Sequence, residues 1–174
     1  YGNASSIHWF GQKAKSAIDD ARGQVADLIG AQATEIVFLG GGTEADNLAI
    51  RGIAESQQSR GRHIITSRIE HHATLNTCKD LENKGFDVSW IGVGTDGMID
   101  PDEVRQGLRP DTILISVMHA NNEIGTIQPI EAIGKITREK GVLLHCDAVQ
   151  GIGKTPFDVQ KMNVDLASLS AHKI

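Results

Sequence analysis

The fold is decided by VLLHCDAVQG at positions 142–151 and DLASLSAHK at positions 165–173. Residues 142–144 have the length and branching of a buried parallel strand, and both segments change abruptly from apolar to polar residues. The first strand is predicted to deliver Asp147 and Gln150 just past its end, and the second to deliver Ser170, His172 and Lys173. Ligands of open α/β sheets lie beyond the carboxyl ends of the strands, so both segments are predicted to face one crevice.

An acid after one strand and a lysine after another suggest pyridoxal 5′-phosphate as the cofactor. Its aldehyde forms a Schiff base with a lysine amine, for which Lys173 is the candidate. Its ring nitrogen must stay protonated for the ring to act as an electron sink, which asks for a carboxylate such as Asp147. Taken alone, an Asp after a strand is more often a cap or turn residue, and Ser-x-His-Lys is more often a polar loop. The rest of the chain therefore has to support the cofactor.

Composition narrows the class of protein. The 174 residues suffice for one domain with its own core, and 22% charged and 40% hydrophobic residues are typical of a soluble globular protein. The net charge of −5 gives no basic field for nucleic acid. The sequence has no apolar run of membrane-spanning length and no signal-peptide pattern. Cys78 and Cys146 lie far apart without the spacing of a metal site, which suits a reducing compartment better than a disulfide framework. We expect a cytoplasmic domain that contacts neither nucleic acid nor membrane.

Predicted strands and helices alternate along the whole chain. A helix from His8 should end at Gly30, and later helices are expected over residues 73–84, from Asp100 and from Pro129 to about residue 140. Strands are expected over residues 35–39, 63–67, 86–93, 112–117 and 142–144. Polar clusters follow at residues 40–43, 70–72, 119–123, 147–150 and 170–173. This pattern predicts an α/β fold: a mostly parallel, doubly wound sheet with helices on both faces and one shared site.

A glycine-rich turn at residues 40–43 precedes a predicted helix. Free N–H groups and the positive end of the helix dipole favour an anion there, Gly42 permits close approach, and the Thr43 hydroxyl adds a donor. The turn is neither a Walker A loop nor a Gly-x-Gly-x-x-Gly fingerprint, so it suits one phosphate better than a pyrophosphate. A tight corner without a ligand is the simpler alternative.

Histidines, an asparagine and the cysteines each allow more than one interpretation. Adjacent histidines on a helix point in different directions, so at most one of His71 and His72 should face the site. Its ring could stack on the cofactor and shuttle protons. Alternatively, the two histidines are metal ligands or merely first-turn residues of the helix. Asn122 is either a turn residue or a donor to a phenolate oxygen or substrate carboxylate. Cys78, in a helix, and Cys146, on a buried strand, do not look like activated nucleophiles.

Together these clusters closely resemble the cysteine desulfurases, the NifS/IscS-like branch of the class V aminotransferase family. The matching segments are YGNASSIH at 1–8, FLGGGTEADNLAI at 38–50, EHHA at 70–73, NNEIG at 121–125, HCDAVQ at 145–150 and SAHK at 170–173. They occur in family order and spacing over essentially the whole chain. The resemblance implies a pyridoxal-phosphate-dependent transferase fold of the aspartate-aminotransferase type, usually a homodimer.

The resemblance also implies roles around the cofactor ring. Lys173 would be the Schiff-base lysine and Asp147 the partner of the pyridinium nitrogen. Gln150 would contact the phenolic oxygen, and Asn122 would lie against the cofactor and the substrate carboxylate. His71 would stack on the ring and take part in proton transfer.

Other implied residues hold the phosphate: Thr43, Ser170, His172 and the backbone around Gly42. The implied reaction converts L-cysteine to L-alanine and passes the sulfane sulfur to a scaffold or carrier protein for iron–sulfur cluster assembly or tRNA thiolation. The family's sulfur-accepting cysteine, its carboxylate-binding arginine and its small domain would lie beyond residue 174. Residues 1–174 are therefore expected to be part of the large domain, without the N-terminal segment, and inactive alone.

Three alternatives remain open at this point. A selenocysteine lyase or another class V aminotransferase would share the same fold. A metal-dependent hydrolase could use His71, His72, His145 and Asp147, although it would give Lys173 no role. The third alternative is a non-catalytic domain, which predicts no bound cofactor.

Overall fold

The computed structural model describes residues 2–174, so Tyr1 of the first family-like segment lies outside it. The chain divides into two units at the boundary between Phe38 and Leu39. Among the described residues, no helix is long and apolar enough to cross a membrane.

The first unit consists mainly of helix α1, Trp9–Ile29. His8 caps it, since its Nδ1 accepts a hydrogen bond from the Gly11 N–H at 3.2 Å, and Gly30 ends it in the left-handed conformation with φ 73°. A side chain at Gly11 would come within 2.6 Å of the Ser6 carbonyl oxygen, so this position requires glycine. The predicted helix from His8 to Gly30 is confirmed.

The strand predicted over residues 35–39 is wrong. A short 3₁₀ helix, Ala33–Glu35, stands at its start, and the residues that follow form no β-ladder within the described chain. The apolar run suggested a buried strand, yet Val37 is 67% exposed and Phe38 49%. A strand needs a neighbour that satisfies its N–H and C=O groups, and the sequence pattern of one segment does not reveal whether a neighbour exists.

The second unit is a five-stranded, fully parallel sheet in the order β2-β1-β3-β4-β5. Its strands are β1 His63–Ser67, β2 Asp87–Ile91, β3 Thr112–Met118, β4 Leu143–Asp147 and β5 Leu166–Ser168. Its helices are α2 Gly42–Gln57, α3 His72–Asn83, α4 Pro101–Gly107 and α5 Ile130–Lys140, and a 3₁₀ helix, Ala171–Lys173, follows β5. The predicted parallel α/β fold is confirmed.

The helices form two pairs, α2 with α3 and α4 with α5. The chain crosses from β1 to β2 in one direction along the sheet and returns from β2 to β3 and β4 in the other. Since parallel crossovers are right-handed, α3 and the pair α4 and α5 lie on opposite faces. The connection after β1 leads towards one edge of the sheet and the connection after β3 towards the other, so the order of the strands reverses between β1 and β3. In such folds, ligands bind at the carboxyl ends of the strands near this point.

A buried core fixes the positions of the strand ends. All seven residues of β3 are buried. Helices α2 and α3 pack on the sheet through a cluster of apolar residues: Ile50, Ala54, Ile64, Cys78, Leu81, Val88, Ile113 and Leu114. The loops after the strands therefore start from a rigid platform.

Both cysteines are free and fully buried, Cys78 in this cluster and Cys146 in β4. Burial raises the pKa of the Cys78 thiol to about 12 and that of Cys146 well above its usual range. Neither thiol is an accessible thiolate at neutral pH, as the sequence predicted.

Candidate cofactor site

The N-terminus of α2 meets the loops that follow β4 and β5. A Cβ placed on Gly42, the first residue of α2, would lie 3.0 Å from Val149 Cγ2 and 3.6 Å from Ser170 Cβ. Ser170 Oγ is 2.8 Å from His172 Nδ1. Three of the four residues predicted to hold a phosphate are therefore brought together, and Thr43 follows directly in the first turn of α2.

Asp147 ends β4 and is 5% exposed. The sequence prediction placed it just past the strand, whereas it is the last strand residue and pairs in register with Met118 and Ser168. Its Oδ1 accepts a hydrogen bond from the Val149 N–H at 3.0 Å. Burial raises the pKa of Asp147, and this hydrogen bond and the electrostatic interaction with His71 oppose the rise.

His71 is the N-cap residue of α3, and its Nδ1 accepts a hydrogen bond from the Ala73 N–H at 3.1 Å. The His71 and His72 ring centroids are 6.3 Å apart and the planes are inclined by 60°. The two rings thus point in different directions, as expected for adjacent residues. His71 is the one that interacts electrostatically with Asp147.

The remaining predicted residues lie on loops at the same edge of the sheet. Lys173 ends the 3₁₀ helix after β5, where its N–H donates to the Ser170 carbonyl at 3.0 Å and its side chain is exposed. Gln150 is half-buried in the turn after β4, and its carbonyl accepts a hydrogen bond from Lys154 Nζ at 3.3 Å. The contacts of these side chains with a cofactor remain predictions.

Asn122 lies exposed in the loop after β3, and its neighbour Asn121 organises that loop. Asn121 Nδ2 donates to the Ile69 carbonyl at 2.9 Å, and Oδ1 accepts from the N–H groups of Glu123 and Ile124 at 2.8 and 3.0 Å. These bonds join the loops after β1 and β3 and hold Asn122 at the edge of the crevice. The sequence prediction did not assign this anchoring role to Asn121.

Glu70 is a buried acid to which the sequence prediction gave no role. Its Oε1 accepts hydrogen bonds from Ser67 Oγ and from the Met118 N–H, whereas Oε2 has no partner among the described residues. Burial raises the pKa of Glu70 to about 8 in spite of these two bonds.

Asp46 is a second such acid, on the face of α2 that also carries Ile50 and Ala54. All three are buried, at a spacing of four residues. Burial and then the charge of Asp147 raise the pKa of Asp46 to about 7, and a hydrogen bond from Ser168 opposes the rise. An acid in an otherwise apolar helical stripe was the sequence signal available for this residue.

His145 lies inside the sheet and not at an open metal site. Its Nδ1 is 2.9 Å from Ser116 Oγ and its Nε2 is 2.9 Å from Ser168 Oγ. The described residues contain no group of three or more histidine, cysteine or acidic side chains placed to hold a metal ion. The four residues of the hydrolase alternative, His71, His72, His145 and Asp147, therefore do not form such a group.

The family model described as Aminotransferase class-V matches residues 1–174. The chain belongs to this family. It is 57% identical over 175 residues to the cysteine desulfurase IscS of Anaeromyxobacter sp. (strain K) and 55% identical over the same length to that of Proteus mirabilis (strain HI4320). Each alignment covers all of this chain and 43% of the relative, so the chain spans less than half the length of these relatives.

Two solved structures show the same fold. A structure described as SspA in complex with cysteine matches with a TM-score of 0.97 at 45% identity, covering all of this chain and 50% of that one. A NifS-like protein matches with a TM-score of 0.95 at 44% identity, covering 99% of this chain and 48% of that one. These matches confirm the resemblance and the fold that the sequence predicted.

Proposed function

We propose that residues 1–174 are the cofactor-binding part of a pyridoxal 5′-phosphate-dependent cysteine desulfurase. One structural observation carries the proposal: the start of α2, the buried Asp147 and the loop that bears Lys173 meet at the carboxyl edge of one parallel sheet. The names of relatives at 55–57% identity support the reaction type.

The cradle at Gly42 fits the phosphate of this cofactor. A side chain at Gly42 would fill the space in front of Val149 and Ser170, and the first turn of α2 leaves backbone N–H groups free for an anion. The Thr43 and Ser170 hydroxyls and the His172 ring supply further donors. These four residues would hold the phosphate.

Residues at the strand ends fit the ring of the cofactor. When bound, pyridoxal phosphate supplies an electron sink for the charge that develops on the substrate Cα. The Asp147 carboxylate would keep the proton on the ring nitrogen, and burial strengthens this charge interaction. Gln150 would donate to the phenolic oxygen, and His71 would cover one face of the ring.

Lys173 and Asn122 would act on the substrate, which we propose is L-cysteine. Lys173 Nζ would attach the cofactor and later accept the Cα proton, and His71 would assist that proton transfer. Asn122 would orient the substrate carboxylate.

The sulfur acceptor is proposed to be a cysteine outside this chain. Cys78 and Cys146 are fully buried and burial raises the pKa of both, so neither suits attack on substrate sulfur. We further propose a homodimeric, cytoplasmic full-length protein with an N-terminal segment and a C-terminal small domain. It would convert L-cysteine to L-alanine and pass sulfur to a scaffold or carrier protein for iron–sulfur clusters or tRNA thiolation.

Borohydride reduction of the full-length protein with pyridoxal phosphate, followed by peptide mass mapping, tests the proposal. The expected result is one phosphopyridoxyl adduct, on Lys173. Lys173→Ala should abolish the adduct and lower cysteine desulfuration by about 10²–10⁴-fold or more. Lys154→Ala is the matched control: Lys154 is an exposed lysine near the same crevice whose amine donates to the Gln150 carbonyl, and its loss should change the rate less than about twofold.

Two outcomes would contradict the proposal. Adducts scattered over surface lysines such as Lys13 and Lys84, with Lys173 unmodified, would mean that no cofactor pocket forms. An adduct on Lys173 without release of alanine and sulfur from L-cysteine would keep the cofactor and exclude the desulfurase.

A further inference from the structure

Two buried polar side chains, His145 and Asp46, lie on the same face of the sheet as Asp147. His145 and Asp147 are alternate residues of β4 and therefore point to the same face of the sheet, about 7 Å apart along the strand. Asp46 reaches this face from α2, with Oδ1 3.6 Å from His145 Nε2. All three side chains are at most 5% exposed, so water contributes little to the stability of any charge they carry.

His145 provides no positive charge for these acids. Its two ring nitrogens each lie 2.9 Å from a serine hydroxyl, those of Ser116 and Ser168. Burial lowers the pKa of His145 to about 4, so the ring is neutral at neutral pH. The third acid whose charge is coupled to this group, Glu70, has a pKa raised to about 8 and is neutral as well.

The two aspartates differ in how well they can carry a negative charge. Asp147 accepts a hydrogen bond from the Val149 N–H at 3.0 Å and lies in the field of His71. Asp46 Oδ1 has no hydrogen-bond partner among the described residues, although a hydrogen bond from Ser168 to this carboxyl group lowers its pKa. A buried carboxylate oxygen without a donor loses its hydration and gains nothing in return, whereas a protonated carboxyl avoids most of that cost.

We propose that Asp46 is a positioning residue that holds the one proton of a buried Asp46–Asp147 pair and so leaves the negative charge on Asp147. Two buried carboxyl groups whose charges interact resist ionising together, so on the acid side of neutral pH the pair carries one charge and its environment decides which carboxyl group bears it. The consequence for the cofactor rests on the proposed function, because only an ionised Asp147 can hold the ring-nitrogen proton. The location of the proton on Asp46 does not depend on the proposed function.

Infrared difference spectroscopy of the full-length protein without cofactor locates the proton. The carbonyl stretch of a protonated carboxyl group is distinct from carboxylate bands and shifts in heavy water. At pH 6 we expect a protonated-carboxyl band in the wild type that disappears in Asp46→Asn and titrates with a midpoint near 7. In Asp147→Asn this band should persist with a lower midpoint, because the charge that raises the pKa of Asp46 has been removed.

Glu70→Gln is the matched control, since Glu70 is a buried acid in the same charge network. It should remove a separate band whose midpoint lies near 8 and leave the Asp46 band in place. Persistence of every band in Asp46→Asn, or absence of the Asp46 band at every pH in Asp147→Asn, would overturn the proposal. A purely structural role for Asp46 would not produce a titrating band. Because the measurement needs neither cofactor nor turnover, failure of the desulfurase proposal would leave its result unchanged.

Discussion

Two histidines, His63 and His145, are fully buried in the sheet, and each bridges hydroxyl groups on neighbouring strands. At the amino end of β1, His63 Nδ1 is 2.7 Å from Thr112 Oγ1, and Nε2 is 2.9 Å from Ser89 Oγ. In β4, His145 has the same arrangement, with a serine hydroxyl 2.9 Å from each ring nitrogen. Hydrogen-bond geometry therefore does not distinguish a histidine that only joins strands from one that lies behind the candidate site.

The charged groups around each histidine do distinguish them. Near His63, Arg109 forms surface ion pairs with Asp87 and Asp111, and its hydrogen bond lowers the pKa of Asp111. Near His145 the acids are buried, and desolvation raises the pKa values of Asp46 and Glu70. The acids at the two ends of the sheet should therefore respond to pH in opposite directions.

The largest expected effect comes from Glu70→Gln. Between an ordinary pKa of 4.5 and a folded-state pKa of about 8, the folded protein keeps a proton that the unfolded chain has released. The free energy of unfolding of the wild type therefore falls as pH rises through this window. Glutamine keeps an oxygen that can accept from Ser67 and Met118 but does not titrate. Denaturant unfolding should be measured from about pH 5 to about pH 9. Over this range the wild type should lose more unfolding free energy than Glu70→Gln, by an amount of order 3–5 kcal/mol.

Asp111→Asn provides the contrast from the amino end. The lowered pKa of Asp111 gives stability that is present above its unfolded-state pKa and is lost as pH falls through the folded-state value. Because the ion pair with Arg109 is exposed, the change in the free energy of unfolding should be small and confined to acidic pH.

The Glu70 prediction can also fail. If the free energy of unfolding depends on pH equally in the wild type and in Glu70→Gln above pH 5, Glu70 is already ionised in the folded protein.

The next effect concerns the two histidines themselves. His145→Ala and His63→Ala should each lower the free energy of unfolding by about 2–4 kcal/mol, because each leaves a cavity and two hydroxyls without a partner. Only His145→Ala should also lower the titration midpoint of Asp46, since water admitted beside Asp46 stabilises its carboxylate. An unchanged midpoint in His145→Ala, or a shifted one in His63→Ala, would contradict this distinction between the two ends.

The sequence predicted the parallel sheet and the residues at its carboxyl edge because both depend on local patterns. An apolar run followed by polar residues marks a strand end, and parallel strands bring such ends to one edge. This is how Gly42 and Ser170, far apart in sequence, were expected to meet. The cysteines were likewise predictable as unreactive, since Cys146 stands on a predicted buried strand and Cys78 in the middle of a predicted helix.

Other features depend on packing that no local pattern encodes. The apolar residues 36–39 looked like a strand, but a strand also needs a pairing partner, which only the tertiary structure supplies. Asp46 and Glu70 are acids whose burial depends on the docking of α2 and of the loop after β1. Their raised pKa values follow from desolvation, which is a property of the assembled core.

The smallest and most selective effect is expected from single hydroxyl deletions. Ser168→Ala and Ser89→Ala each remove one hydrogen-bond partner of a buried histidine and should each cost about 1 kcal/mol of unfolding free energy. Ser168 also donates to Asp46, where its hydrogen bond lowers the pKa. Ser168→Ala should therefore move the infrared midpoint of Asp46 upward from about 7, whereas Ser89→Ala should leave it unchanged. The expected pattern is equal destabilisation in both variants and a shift of the Asp46 midpoint in Ser168→Ala alone. It would show that both histidines stabilise the sheet through hydrogen bonds, whereas only the surroundings of His145 affect the charge of Asp46. A shift in both variants, or in neither, would mean that the two histidine bridges are equivalent.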